Sequence, residues 1–375
     1  MSERLARAAL TRLTEPGDVR MAGLVADLGA EVVYEHLRNE RDLGGVLTEV
    51  ASRLRGLDPA RDLDDASRQG IRFVVPGDPE WPPSLADLET AEPLNRRGGA
   101  PIGLWVRGRL RVDEACARSV AVVGSRSATS YGAGVAGALA AEVAREGVAV
   151  VSGAAFGIDQ AAHRGALAAR GPTVAVLACG PERAYPAAHK QLLDYIAEEG
   201  VVVSELPPGC APTRLRFLSR NRLIAALSTG TVVVEAAVRS GALNTANWAT
   251  RLHRVLMGVP GPVTSAPSEG VHELIRSGKA ALVTEGRHVL ELASPAGSFT
   301  LGHQRGETRP LDGLEEQELR VLDALPVVHG VSVASLARTA ALGEAAVRES
   351  LTILRDAGLA EAVDGVWRIG KAHAS

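Results

Sequence analysis

The chain reads as an α/β protein built on a parallel sheet with helices on both faces. Three observations predict this. Between residues 119 and 283, short β-branched runs alternate with alanine-rich stretches in a repeating βα pattern. The runs are apolar throughout rather than alternating, which is the pattern of strands covered on both faces. Hydrophobic residues make up 46% of the chain but aromatic ones only 3%, so the core is a matter of alanine, valine and leucine.

Taken in order, residues 1–70 read as a small helical module. Leu5, Ala8 and Leu13, then Met21, Leu24, Val25 and Leu28, recur at helical spacing, with Pro16-Gly17-Asp18 as the break. A proline-punctuated stretch follows, through Trp81-Pro82-Pro83, before an apolar strand at 103–108. The main domain, 71–293, then carries strands at 120–123, 148–151, 173–177, 201–203, 231–234, 255–257 and 281–283. Residues 294–310, rich in Gly, Ser, Pro and Thr, read as a linker. The last segment, 311–375, offers three helices at 314–325, 333–338 and 343–356. Two short apolar runs then flank Asp364-Gly365, a hairpin signal, and the whole predicts a winged-helix domain. Its third helix sets Arg348 and Arg355 among Glu344, Glu349 and Asp356, an acidic surround that favours protein contact or domain packing over a grip on DNA.

With 375 residues and a net charge of −3, the chain holds two or three domains and lacks the broad basic surface needed to coat duplex DNA. No apolar run is long enough for a membrane span, and residues 1–12 are charged without an apolar signal core, so a cytoplasmic protein with no membrane contact is expected. Cys116, Cys179 and Cys210 are odd in number and widely spaced, which argues against disulfides and structural zinc; neither metal nor cofactor is expected.

Ligands of such sheets sit beyond the carboxyl ends of the strands. There, Gly124-Ser125-Arg126-Ser127 follows one strand and precedes a helix, forming an anion cradle to which Arg126 adds charge; it is neither a P-loop nor a dinucleotide fingerprint. Ser152-Gly153 opens the next loop. Asp159 and His163, four apart on one helical face, are read as support: Asp159 capping its helix, His163 bonding a neighbouring loop. Glu235 ends a strand and is expected to orient an arginine or a loop amide. Ser240-Gly241 starts a helix suited to phosphate, and Tyr185-Pro186 and His189-Lys190 border the same region.

The densest signal is Arg214, Arg216, Phe217, Arg220, Asn221 and Arg222: four arginines within nine residues, one ring among them, and no acidic residue over 206–234. Guanidinium suits phosphate oxygens and a ring can stack on an unpaired base, so the segment points to single-stranded nucleic acid or a nucleotide. On a regular helix Arg220 and Arg222 stand about 200° apart and cannot both face one ligand. One of them is a candidate partner for Glu235.

In order and spacing, Gly124-Ser125-Arg126, Ser152 to Asp159 with Ala162-His163, Tyr185-Pro186, Ser204-Glu205, Arg220-Asn221-Arg222, Glu235-Ala236, Ser240-Gly241 and Val259-Pro260-Gly261 resemble the DprA/Smf DNA-processing family. The resemblance implies an extended Rossmann-like domain that binds single-stranded DNA, forms a homodimer, loads the RecA recombinase in DNA processing or natural transformation, and catalyses no reaction. It likens the N-terminal helices to a SAM or helix-hairpin-helix module. Carried over, Arg126 contacts a phosphate, Ser152 and Gly153 line the pocket, and Arg220 to Arg222 form its basic wall, with Arg214 and Phe217 as cation and stacking ring. The chain departs from the family in having Phe217-Leu218-Ser219 where Phe-Pro usually stands. A rival reading makes it a nucleotide-processing enzyme, a phosphoribohydrolase resembling the lysine-decarboxylase-like family, with Thr229-Gly230-Thr231 and Glu235 echoing the glycine-rich motif.

Overall fold

The structure is a computed structural model that describes residues 2–39, 57–299, 311 and 313–370. Its strands are β1 (Ile71–Val74), β2 (Leu104–Gly108), β3 (Ser119–Val123), β4 (Ala149–Ser152), β5 (Thr173–Val176), β6 (Val201–Ser204), β7 (Gly230–Val233), β8 (Val255–Gly258) and β9 (Ala281–Leu282), joined in one sheet in the order β1-β2-β6-β5-β4-β3-β7-β8-β9. From β6 to β9 every neighbouring pair is parallel. Both faces are covered: along β3, Ala121 and Val123 enter one core while Val120 and Val122 enter the other. That is why the run shows no polar alternation.

β1 and β2 extend the sheet antiparallel at its β6 edge. β1 is a strand the sequence reading passed over, although Ile71, Phe73 and Val74 between Gly70 and Pro76-Gly77 favour one; it carries Arg72. That arginine is satisfied by both Glu80 oxygens, at 2.8 and 2.6 Å, and by the carbonyls of Gly108 and Leu110. The helices Glu3–Leu13 and Val19–Leu28 lie where the spacing predicts them, on either side of Pro16-Gly17, although Leu28 is exposed; Ala30–Arg38 and Pro59–Arg68 are two more helices, which that spacing did not name. Ala8 and Ala66 share a cluster with Ile71, Phe73 and Trp105, so these helices pack on the antiparallel edge, and residues 1–301 make one compact unit.

Residues 302–375 make a second unit. It holds the helices Glu316–Ala324, Val333–Ala340 and Glu344–Asp356 around Val321, Leu336, Val347, Leu351 and Leu354, then the hairpin β10 (Ala360–Val363) and β11 (Val366–Ile369). Asp364 and Gly365 turn it with φ of 51° and 80°, the positive values a tight hairpin demands. Most of the stretch read as a linker lies outside the described residues.

β3 lies between β4 and β7, and the chain leaves it toward β4 but returns on its other side at β7. This is the sheet's switch point, where two loops part and open a crevice.

Candidate nucleic-acid interface

The loop after β3 is held from below by Glu235. Its carboxylate accepts from the Thr129 amide at 2.9 Å and from the Thr129 hydroxyl, and its carbonyl accepts from the Ser125 amide at 2.7 Å. Thr129 in turn caps the helix Ser130–Arg145 through the Gly132 amide. A Cβ on Gly132 would strike the Glu235 carboxylate, so glycine is required for the approach. Glu235 thus orients a loop amide and, among the described residues, pairs with no arginine. Its carboxylate is buried and engaged by Thr129, which argues against the role that the rival enzymatic reading gives it. Gly124 and Ser125 are half-buried and Arg126 is exposed.

The next loop is clamped by Asp159, the second residue of the helix Ile158–Ala168. It accepts from the amides of Gly153 at 3.2 Å and Ala155 at 3.5 Å, so it ties down the preceding loop instead of capping its helix. Burial raises its pKa, against the opposing pull of Arg220. His163 bonds Thr173 Oγ1 at 2.8 Å, on strand β5 and not on a loop. Burial, followed by the charge of Arg220, depresses it to about 3, so it is a neutral structural group. Ser152 does not line the pocket: it is fully buried and donates to the Val122 carbonyl at 2.7 Å.

The arginine segment forms a regular helix, Arg214–Ala226, capped by Thr213. Its cations therefore diverge. Arg220 turns toward the sheet, donating to the Val176 carbonyl at 3.0 Å and lying so close over Gly153 that a Cβ there would collide with its guanidinium. Burial lowers its pKa to about 10, opposed by Asp159, and it stays charged at neutral pH. Arg222 points the other way, is fully buried and pairs with Glu205. The expectation that Arg222 forms part of a basic wall facing the ligand is therefore corrected: about 200° of helix rotation puts it on the opposite side. Arg216 is likewise engaged, by both Glu15 oxygens at 2.8 and 2.7 Å. Arg214 is exposed. Asn221 reaches the Gly241 carbonyl at 3.4 Å and Asn244 at 3.2 Å, joining this helix to the Ser240-Gly241 turn.

Loops distant in sequence converge on Phe217. The Arg126 guanidinium lies over its ring at 4.6 Å and that of Arg220 at 5.9 Å, with Tyr185 tilted against it at 5.5 Å. Beside them Phe156 meets His189 in a T-shaped contact at 4.6 Å. Among the described residues Arg126 makes no ion pair with a carboxylate, and its guanidinium lies on the Phe217 ring. Sequence reasoning passed over Phe156. The scarcity of aromatics was the signal that could have found it, since the chain has only four phenylalanines.

With this geometry in view, comparison with known proteins decides the lineage. The family model described as DNA recombination-mediator protein A matches residues 72–294. The chain belongs to the DprA/Smf family. The putative DNA processing protein DprA of Mycobacterium tuberculosis is 45% identical over 370 residues, covering 98% of this chain and 94% of that one. The DNA processing protein DprA of Streptococcus pneumoniae is 40% identical over 56% of this chain and 73% of its own. Among solved structures, Streptococcus pneumoniae DprA superposes with a TM-score of 0.63 at 28% identity, covering 80% of this chain and 99% of that one. A Helicobacter pylori DNA processing protein A, described for its single-stranded DNA binding mode, superposes with a TM-score of 0.51 at 25% identity, covering 58% and 94%. The DprA/Smf match encloses Arg126, Phe156, Phe217 and Arg220, and membership assigns the chain a DNA-processing role.

Proposed function

We propose that the protein binds single-stranded DNA at the carboxyl edge of its sheet, with Arg126 on a phosphate and an unpaired base on Phe217, and that it delivers the strand to the RecA recombinase as a non-catalytic homodimer. The observation that carries the reading is the exposed Arg126 guanidinium stacked 4.6 Å over Phe217 beside buried Arg220. Fixed cations next to an aromatic face suit a flexible polyanion whose bases are free to stack. The Ser125 and Ser240 amides are engaged within the protein, by the Glu235 and Ala237 carbonyls, so the turns shape the switch point, and Arg214 adds an exposed charge. Arg222, Asp159, His163 and Glu235 act as supports. The recombinase partner is supported by the description of the matching family model as a recombination mediator.

Fluorescence anisotropy with single-stranded and duplex oligonucleotides tests the site. Arg126→Ala and Phe217→Ala are each expected to weaken single-strand binding by about tenfold, since a stacked base contributes roughly 1 to 3 kcal/mol. Arg126→Ala also lowers the salt slope by about one. Unchanged affinity in both variants refutes the assignment.

A further inference from the structure

Phe156 is 46% exposed, while Phe73 is buried in a core cluster and Phe299 packs against another. A large apolar side chain left in water forfeits the stabilisation that burial brings, so its position calls for another explanation. Nor is it left loose. Ala154, two residues before it, has a φ of 52° and Gly157, just after it, a φ of 80°. Left-handed backbone at a residue other than glycine persists only where the surroundings impose it, and such sites cluster at ligand clamps. Here Asp159 holds the amides of Gly153 and Ala155, and the Ile158 amide donates to the Ser125 carbonyl at 3.2 Å. The ring itself rests on buried His189, which is fixed to the Ala154 carbonyl at 2.9 Å.

Phe156 borders a cleft of about 590 Å³ whose wall also includes Arg126, Ser127, Gln160 and Arg164, and no acidic side chain. Arg164 follows Gln160 by one helical turn and is exposed. Gln160 offers an amide with both donor and acceptor atoms, the groups that read a base edge. Arg126 belongs to this cleft and also lies over Phe217, so one guanidinium borders two aromatic stations.

We propose that Phe156 is a second base-stacking platform, and that its cleft carries the next stretch of the strand, with Arg126 shared between the two stations and Arg164 on a further phosphate. The inference rests on the single-strand reading above and extends its track beyond the Phe217 station.

The test uses the full chain and a labelled oligothymidylate. Phe156→Ala and Phe156→Leu are expected to weaken binding by about fivefold or more, because leucine keeps apolar bulk but has no aromatic face. Phe156→Trp is expected to retain affinity and to lose tryptophan emission on binding, beyond any change in the native chain with its four tryptophans. Arg164→Ala is expected to lower the salt slope by about one. Affinity unchanged in the alanine or leucine variant, or intact binding by Phe156→Trp without added quenching, overturns the second platform. If Arg126→Ala and Phe217→Ala still weaken binding in that case, the first station stands. If none of these variants alters binding, both fall together.

Discussion

Only Asn221 separates Arg220 from Arg222, and the helix sends them to opposite surroundings. Each is buried, but Arg220 lies near the ring of Phe217, three positions before it on the same helix, whereas Arg222 is spent on Glu205. Spacing on a helix foretells the divergence; it does not say which arginine faces the site. The sequence shows no acid over 206–234, yet Glu15 and Glu205 arrive from outside that window and neutralise two of the four cations. His163 shows the same limit. Four residues from Asp159 it resembles half of a catalytic pair, and burial makes it a neutral prop. That burial has a consequence in acid. The folded pKa of about 3 lies below the ordinary 6.5, so between those values the unfolded chain binds a proton that the folded chain refuses. His163 therefore costs stability as pH falls through that window, by up to about 1.4 kcal/mol per pH unit, and nothing above it. Urea denaturation across that range should show a flatter acid slope for His163→Gln than for the native chain.

At the scale of elements, the arginine helix is held by what surrounds it. Arg216 clasps Glu15, which follows the first helix, and Arg222 clasps Glu205, just after β6. Burial raises the Glu205 pKa against the pull of Arg222, as expected for a carboxyl group kept from water. Removing one partner of such a pair leaves an uncompensated buried charge, so Glu205→Ala is expected to destabilise the fold by about 3 to 5 kcal/mol. Thermal and urea melts measure this. A loss below about 1 kcal/mol would show that Arg222 finds other partners. The central strands were legible because residues buried on both faces leave an unbroken apolar run. β1 was passed over although Ile71, Phe73 and Val74 are β-favouring; what the sequence does not show is its antiparallel pairing with β2 at the edge of the sheet. The loop after β3 was legible as a glycine turn, but its tether to Glu235 spans 106 positions and has no local trace.

At the scale of the whole molecule, the sheet order places the loops after β3 and β7 at one crevice, and the loops after β4 and β5 beside it. That arrangement gathers Arg126, Phe156, Tyr185 and Phe217 on one side of the sheet. The unit formed by residues 302–375 is built differently: on its third helix Arg348 pairs with Glu344 at 3.4 Å and Arg355 with Asp356 at 3.6 Å. With those charges balanced, it suits a protein partner better than phosphate. Deleting residues 302–375 is therefore expected to leave oligonucleotide affinity within about threefold, on the scale of a lost surface contact or two, and to abolish recombinase stimulation. Anisotropy and a strand-exchange assay separate the two effects, and a large fall in affinity would assign the unit to DNA.

The amino-acid order by itself determined the layered α/β architecture, the terminal hairpin and the family, because burial on two faces, turn chemistry and ordered motifs are local properties of the chain. Only the tertiary structure decided which charges remain available. An arginine's role depends on the carboxylates that folding brings within reach, and no neighbour in sequence reveals that Arg222 is paired while Arg126 rests on a ring.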